Sequence, residues 1–368
     1  MTALATPLFV AVAMGVAAAQ VQQPPTQIIQ NGRVETRTGT SVDREVSALA
    51  AGTEPVWLMW RVPMVAGDRE MCSSSWYGDR NLYTRGYMLD WYAPGRYNAN
   101  DMTKVTPPTG PVPIESGTAM LVMVRLFDGS IERVRTLADD CPIDAGGRTV
   151  NWLGAIMPAE SLRFLESLTK TDRNDRFSYD THRNIATSAL SAISMHRDAA
   201  ADAILDRMAA DGDRDLRRQA AQALASARGA RGFQAVQKLL SAEKDPETRR
   251  SFVGALGSTR ESGTAAALKP FLTDSDEKIR AEAIYWYAQR GGAPVIGEVT
   301  RLVESDTNDN VKRRGVSGIS RLPANDSIPA LLQLAKSASS PVVKKEAVSA
   351  LSRSTDPRAL AYMESLIK

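Results

Sequence analysis

Asp245-Pro246-Glu247-Thr248-Arg249-Arg250-Ser251-Phe252-Val253-Gly254-Ala255-Leu256 has the form of a helix opening. An aspartate at the N-cap accepts from a free helix N–H, and proline at the first helical position gives up no needed donor. Glu247 in the first turn suits the helix dipole. Counted from Arg249, basic residues recur about every 32 positions at Arg217, Arg249, Arg280, Lys312 and Lys344. Four positions earlier stand Asp213, Asp245, Asp276, Asn308 and Ser340. Seven positions later stand Leu224, Leu256, Tyr287, Ile319 and Leu351. A fixed period of this length marks a stack of like units, and it takes precedence over any local signal.

Within each unit, small or apolar residues fall three and four apart. Leu216, Ala220, Ala223 and Leu224 form one stripe; Val311, Gly315, Gly318 and Ile319 form another. That spacing is helical and one-sided. A short breaker follows, such as Ala227-Arg228-Gly229 or Gly291-Gly292, and then a second helical stripe, such as Val236, Leu239 and Leu240. One pair of helices cannot bury both stripes, so the pairs must lie side by side.

These residues resemble the HEAT-like repeat, in the short form also found in phycobilisome lyases. The resemblance spans residues 178–368 as six units, the first carrying Arg183, Ala186, Ala189 and Leu190 in the matching places without a clean cap. It implies an all-α, right-handed α-α superhelix of the HEAT/ARM kind that binds proteins, with a lyase-like role in a minority of such stacks.

Upstream the character changes. Met1 to Gln20 carries an apolar run from Leu8 to Val16 that leads into Ala17-Ala18-Ala19, as in a secretory signal peptide cleaved after residue 19; no Lys or Arg precedes the run. An uncleaved anchor is the alternative. Residues 20–40 are polar and proline-containing and read as a flexible tail. Residues 41–157 read as a small β-rich domain: a short helix from Val42 to Ala51, strands at Val56–Val62 and Tyr87–Tyr92, and a hairpin from Ala119 to Leu137 turning at Asp128-Gly129. A last strand is expected at Thr149–Leu153, then a linking helix and charged loop over 158–177. Trp60-Arg61-Val62-Pro63, the Cys141–Gly147 run and Trp152-Leu153-Gly154 resemble a group of secreted bacterial proteins with a β-rich domain ahead of HEAT-like repeats. That resemblance implies architecture and compartment.

Net charge is +3, too small to argue for nucleic acid, although residues 213–368 hold 25 Lys+Arg against 18 Asp+Glu. Cys72 and Cys141 are the two cysteines; in an oxidising compartment they would pair, the alternative being two buried thiols. His182 and His196 lack zinc-site spacing and read as loop or surface residues. Asp139, Asp140 and Asp144 form an acidic loop with too few donors for calcium. Trp57 and Trp60 fall on opposite faces of their strand, one core and the other free to be partly exposed; with Trp76, Trp91, Tyr77 and Tyr92 they leave a sugar-binding shelf as an alternative. No phosphate loop, dinucleotide fingerprint, nucleophile elbow or zinc-protease motif is present.

The reading is therefore an α+β two-domain chain, exported to the periplasm or beyond, with no membrane span after cleavage, no cofactor and no metal. It is expected to be a monomer, non-catalytic, and to bind a protein. If the second helices line the concave side, Lys238, Lys269, Arg301 and Gln333 fall at matching places there and form a row that grips the partner. A lyase-like accessory role and a sugar- or metal-binding module remain the alternatives.

Overall fold

The computed structural model describes residues 24–67, 71–75, 83–85, 87–89, 117–170 and 179–366. The expected leader, the aromatics Trp76, Tyr77, Trp91 and Tyr92, and residues 171–178 lie outside them.

The N-terminal part is a mixed sheet with helices against it. Its elements are β1 (Ile29–Gln30), β2 (Arg33–Thr36), α1 (Val42–Ala50), β3 (Val56–Pro63), β4 (Ser73–Ser75), β5 (Tyr83–Arg85), β6 (Tyr87–Met88), β7 (Ala119–Phe127), β8 (Ser130–Ala138), β9 (Ile143–Asp144), β10 (Thr149–Ala155) and α2 (Pro158–Ser167). Five strands run in the order β2-β10-β3-β7-β8. The β7–β8 hairpin turns at Asp128 (φ 48°) and Gly129 (φ 76°), the pair of positive angles that the Asp-Gly signal demands.

Two expectations need correction. Residues 20–40 are not all tail, since β1 and β2 pair in parallel with β9 and β10. At the sheet's edge, β2 buries little, so Arg33-Val34-Glu35-Thr36 has the polar composition of a linker. Neither Trp57 nor Trp60 is exposed; both are completely buried. Trp60 stacks edge-on against Phe164 of α2. The opposite face of β3 is covered too, which is why Leu58, Met59 and most of β7 are apolar without alternation. Cys72 and Cys141 form a disulfide across 69 positions.

Six helix pairs follow: α3 (Tyr179–Met195) with α4 (Ala199–Asp211), α5 (Arg214–Ala227) with α6 (Gly229–Ala242), α7 (Pro246–Ser258) with α8 (Thr264–Leu268), α9 (Glu277–Gly291) with α10 (Ile296–Ser305), α11 (Asp309–Ser320) with α12 (Ala324–Ser337), and α13 (Pro341–Ser352) with α14 (Pro357–Ser365). The expected caps act as such: Asp213, Asp245, Asp276 and Asn308 each accept from helix N–H groups. Ser340 occupies the same place without a side-chain cap bond. Pro270 cuts α8 short, and the chain continues as a 3₁₀ turn, Lys269–Thr273.

The sheet and the stack meet at His196. This residue is neither a ligand nor a surface group but fully buried. Its Nδ1 lies 2.8 Å from the Ala192 carbonyl, which fixes the proton there. Its Nε2 then accepts from Ser161 Oγ at 2.9 Å, and Ser161 accepts from Trp60 Nε1 at 2.9 Å. Three elements, β3, α2 and the turn after α3, are thus joined by one fully satisfied buried chain of hydrogen bonds. Met64 bridges His196 as a β-bridge, and Arg197 N–H donates to Pro63 O at 3.0 Å. From the next unit, Arg228 donates to the carbonyls of Ser194 and His196 and pairs with Asp202.

Burial pulls the His196 pKa from 6.5 down to about 4, against the favourable field of Asp198 and with that of Arg228. The unfolded chain therefore takes up a proton that the folded one refuses. Stability is full above about pH 6.5 and is lost as pH falls, by up to about 3 kcal/mol near pH 4. Urea unfolding of the wild type and of His196→Asn should show the stability gap between them narrowing over that window; a gap independent of pH would rule out the neutral, buried imidazole. Replacing both cysteines by alanine should lower the unfolding free energy by about 4 kcal/mol and speed amide exchange at β9, next to Cys141.

Candidate functional site

Two features of the stack decide which surfaces are open. The first is a ladder. The three arginine anchors each reach about 26 positions ahead, to a residue just before the next cap: Arg217 to Glu243, Arg249 to Asp274, and Arg280 to Asp306 at 2.9 Å. The same carboxylates accept from the cap N–H groups of Asp245, Asp276 and Asn308. In the fifth unit Lys312 reaches Ser340 Oγ at 3.2 Å instead. These acids recur with the period of the anchors, a signal present in the sequence that cap and stripe reasoning passes over. Arg217, Arg249 and Arg280 are joints between units, their guanidinium groups already held by carboxylates.

The second is spacing. The first helices, α3, α5, α7, α9, α11 and α13, pack directly on one another, whereas α6, α8, α10 and α12 make few mutual contacts. Small residues set the difference. A Cβ on Gly318 of α11 would sit 2.9 Å from both Ala288 Cβ and Tyr285 O of α9, and one on Gly257 would enter the Trp286 ring.

Lys238, Lys269, Arg301 and Gln333 all stand exposed on the more widely spaced layer: α6, the 3₁₀ turn, α10 and α12. Lys269 is engaged by Glu298 at 3.4 Å. The Tyr287 hydroxyl first, and then Lys269, hold the Glu298 carboxyl below its usual range. Between α6 and the 3₁₀ turn lies a groove of about 640 Å³, walled by Leu240, Lys244, Arg249, Pro270 and Phe271.

On the closely spaced layer, α9 presents an aromatic and charged cluster. The Arg314 guanidinium lies 4.0 Å from the Tyr285 ring centre, and Arg290 stacks on Trp286 at 5.3 Å. Glu282 takes Trp286 Nε1 at 2.8 Å and Arg314 at 3.2 Å. Tyr285 and Trp286 are half-buried. Arg290 donates back to the carbonyls of Gly257 and Ser258. Burial, with the charge of Arg260 beside it, lowers the Arg290 pKa.

A cleft of about 860 Å³ opens where the sheet meets the stack. Val65–Gly67 form one wall; Ser194, Arg228, Arg231 and Arg260 line the other. Cavities of this size at a domain junction are where small ligands and peptide segments bind.

The remaining chemical candidates are occupied within the fold. The disulfide removes both thiols. Asp139 binds Arg61 at 2.5 Å, and Asp144 accepts from Asn31 at 3.2 Å and from Gly146 N–H at 2.9 Å. No helix among the described residues is long and apolar enough to cross a membrane.

No curated protein matches the chain. Among solved structures, the complex of CpcE and CpcF of phycocyanin lyase from Nostoc sp. PCC7120 is 19% identical, with a TM-score of 0.33, covering 56% of this chain and 81% of that one. Human deoxyhypusine hydroxylase in complex with glycerol is 14% identical, with a TM-score of 0.29 and coverage of 56% and 90%. YibA of E. coli is 18% identical, with a TM-score of 0.34 and coverage of 52% and 74%. Residues 201–288 and 298–368 match the HEAT-repeat family. The helical stack of this chain is therefore a HEAT-repeat solenoid, set behind a small N-terminal β-sheet region.

Proposed function

We propose that this chain is a non-catalytic, protein-binding scaffold of the cell envelope that holds its partner on the concave side of the solenoid. The observation that carries the reading is the Tyr285, Trp286 and Arg314 cluster on α9. Tyr, Trp and Arg dominate the binding energy of protein interfaces, and here they are already held in place by Glu282 and Gly257. A stack bends toward its more closely spaced layer, so the first helices supply the inner surface in this reading. The Cys72–Cys141 disulfide supports an oxidising compartment. The Ser161–His196 contact is sealed from solvent and serves the fold, so this pair is not offered to a substrate.

The row Lys238, Lys269, Arg301 and Gln333 is the competing location for the grip. Affinity capture from an envelope extract, followed by titration of the identified partner, separates the two. Tyr285→Ala with Arg314→Ala should weaken binding by about 2 kcal/mol or more. Charge reversal at Lys238, Lys269 and Arg301 should leave it nearly unchanged. The opposite result moves the grip to the second helices, and capture of no discrete protein by the full chain rejects the scaffold.

A further inference from the structure

Five successive units carry an arginine at or just beyond the end of the first helix: Arg228, Arg260, Arg290, Arg321 and Arg353. First helices run parallel, so these ends share one long edge of the stack. Carbonyl-rich helix ends favour cations, and two of the five act in that way directly. Arg228 binds the carbonyls of Ser194 and His196, and Arg290 those of Gly257 and Ser258. The other three differ. Arg260, Arg321 and Arg353 are exposed, and none has a carboxylate partner among the described residues; Arg353 bonds only Ser349 Oγ of its own helix.

The cleft lies on the same edge. Arg231, on its wall, gives two nitrogens to Asp202 and Asp206, but its Nη1 is buried with no acceptor. A buried guanidinium nitrogen without an acceptor is costly to leave unmade, and an incoming oxygen would satisfy it. The opposite edge of the stack, built from the turns between units, carries the acids Glu243, Asp274 and Asp306 and the acidic caps. Acids stand on the arginine edge as well, Glu261, Asp326 and Asp356 among them, and exposed lysines, Lys244, Lys344 and Lys345, on the opposite one; the arginine edge is set apart by three exposed guanidinium groups without a carboxylate partner among the described residues.

We propose that this edge, starting in the cleft at Arg231 and Arg260 and continuing past Arg321 and Arg353, binds an extended, carboxylate-rich segment of another protein. The proposal rests on the scaffold reading and names the chemistry of the partner. The spacing fits. Neighbouring first helices lie about 9 Å apart. A polyproline II segment repeats every three residues and rises about 9 Å in doing so. An acid at every third position advances one unit at a time, so acids in register meet the two-pronged donors Arg260, Arg321 and Arg353, and the one between the first two passes Arg290, which is held by carbonyls.

The test uses the full chain and a fluorescent peptide of about twelve residues with glutamate at every third position, its partner peptide having glutamine instead. Anisotropy titration should show binding of the glutamate peptide alone, lost between about 0.05 M and about 0.5 M salt. Arg260→Glu should weaken it about tenfold, and Arg260→Glu with Arg321→Glu and Arg353→Glu should abolish it. Charge reversal at Lys238 and Arg301 should leave it within about twofold. Equal binding of the glutamine peptide, or an undiminished triple variant, overturns the inference. So does binding of a sulfated polysaccharide to the edge when the glutamate peptide does not bind. In each of those cases a partner that still depends on Tyr285 and Arg314 leaves the scaffold reading standing.

Discussion

Each helix pair in this stack leaves an apolar flank that only the next pair can cover. Leu224, Leu256, Tyr287, Ile319 and Leu351 are all essentially fully buried, and all lie seven positions beyond an anchor. Their burial, at about 25 cal/mol per Å² of apolar surface, is the main force holding neighbouring units together. The anchor-to-acid ladder adds direction. Partly exposed ion pairs contribute little energy, but a guanidinium bound to the acid before the next cap fixes where that next helix begins. Burial makes the units stack, and the ladder sets their register.

The close approach of the first helices follows from the same stripes. Glycine and alanine at the middle positions let α9 and α11 meet backbone to side chain, and the bulkier second helices are held farther apart. One layer therefore becomes a continuous surface and the other a series of ribs with grooves between them. The aromatic cluster on α9 lies on the continuous surface, and the groove at Phe271 lies between ribs.

Much of the solenoid is legible in its sequence because its rules are local. A cap, a stripe and a breaker each occupy a few consecutive residues, and a period repeats them. The Asp128-Gly129 hairpin is legible for the same reason. What the sequence hides is set by partners far along the chain. β2 pairs with β10 more than a hundred positions away, so an edge strand looks like a tail. Trp57 and Trp60 are both buried because two separate segments cover the two faces of β3. His196 has no spacing signature, since its partners Ser161 and Trp60 come from other elements. The arginine edge is visible as a period in the residues, but its unpaired members can be told from its paired ones only in three dimensions.

The position of β10 has a consequence for how the molecule assembles. It lies between β2 and β3, in parallel with both, so the two early strands have no contact with each other to form first. As the chain is made, the five-stranded sheet stays incomplete until residue 155 arrives. Such late, long-distance closure is slow, and it leaves strand edges open to mispairing in the interval. The helical units form from neighbours only, so each can fold as soon as its own residues and those of the unit before it are present.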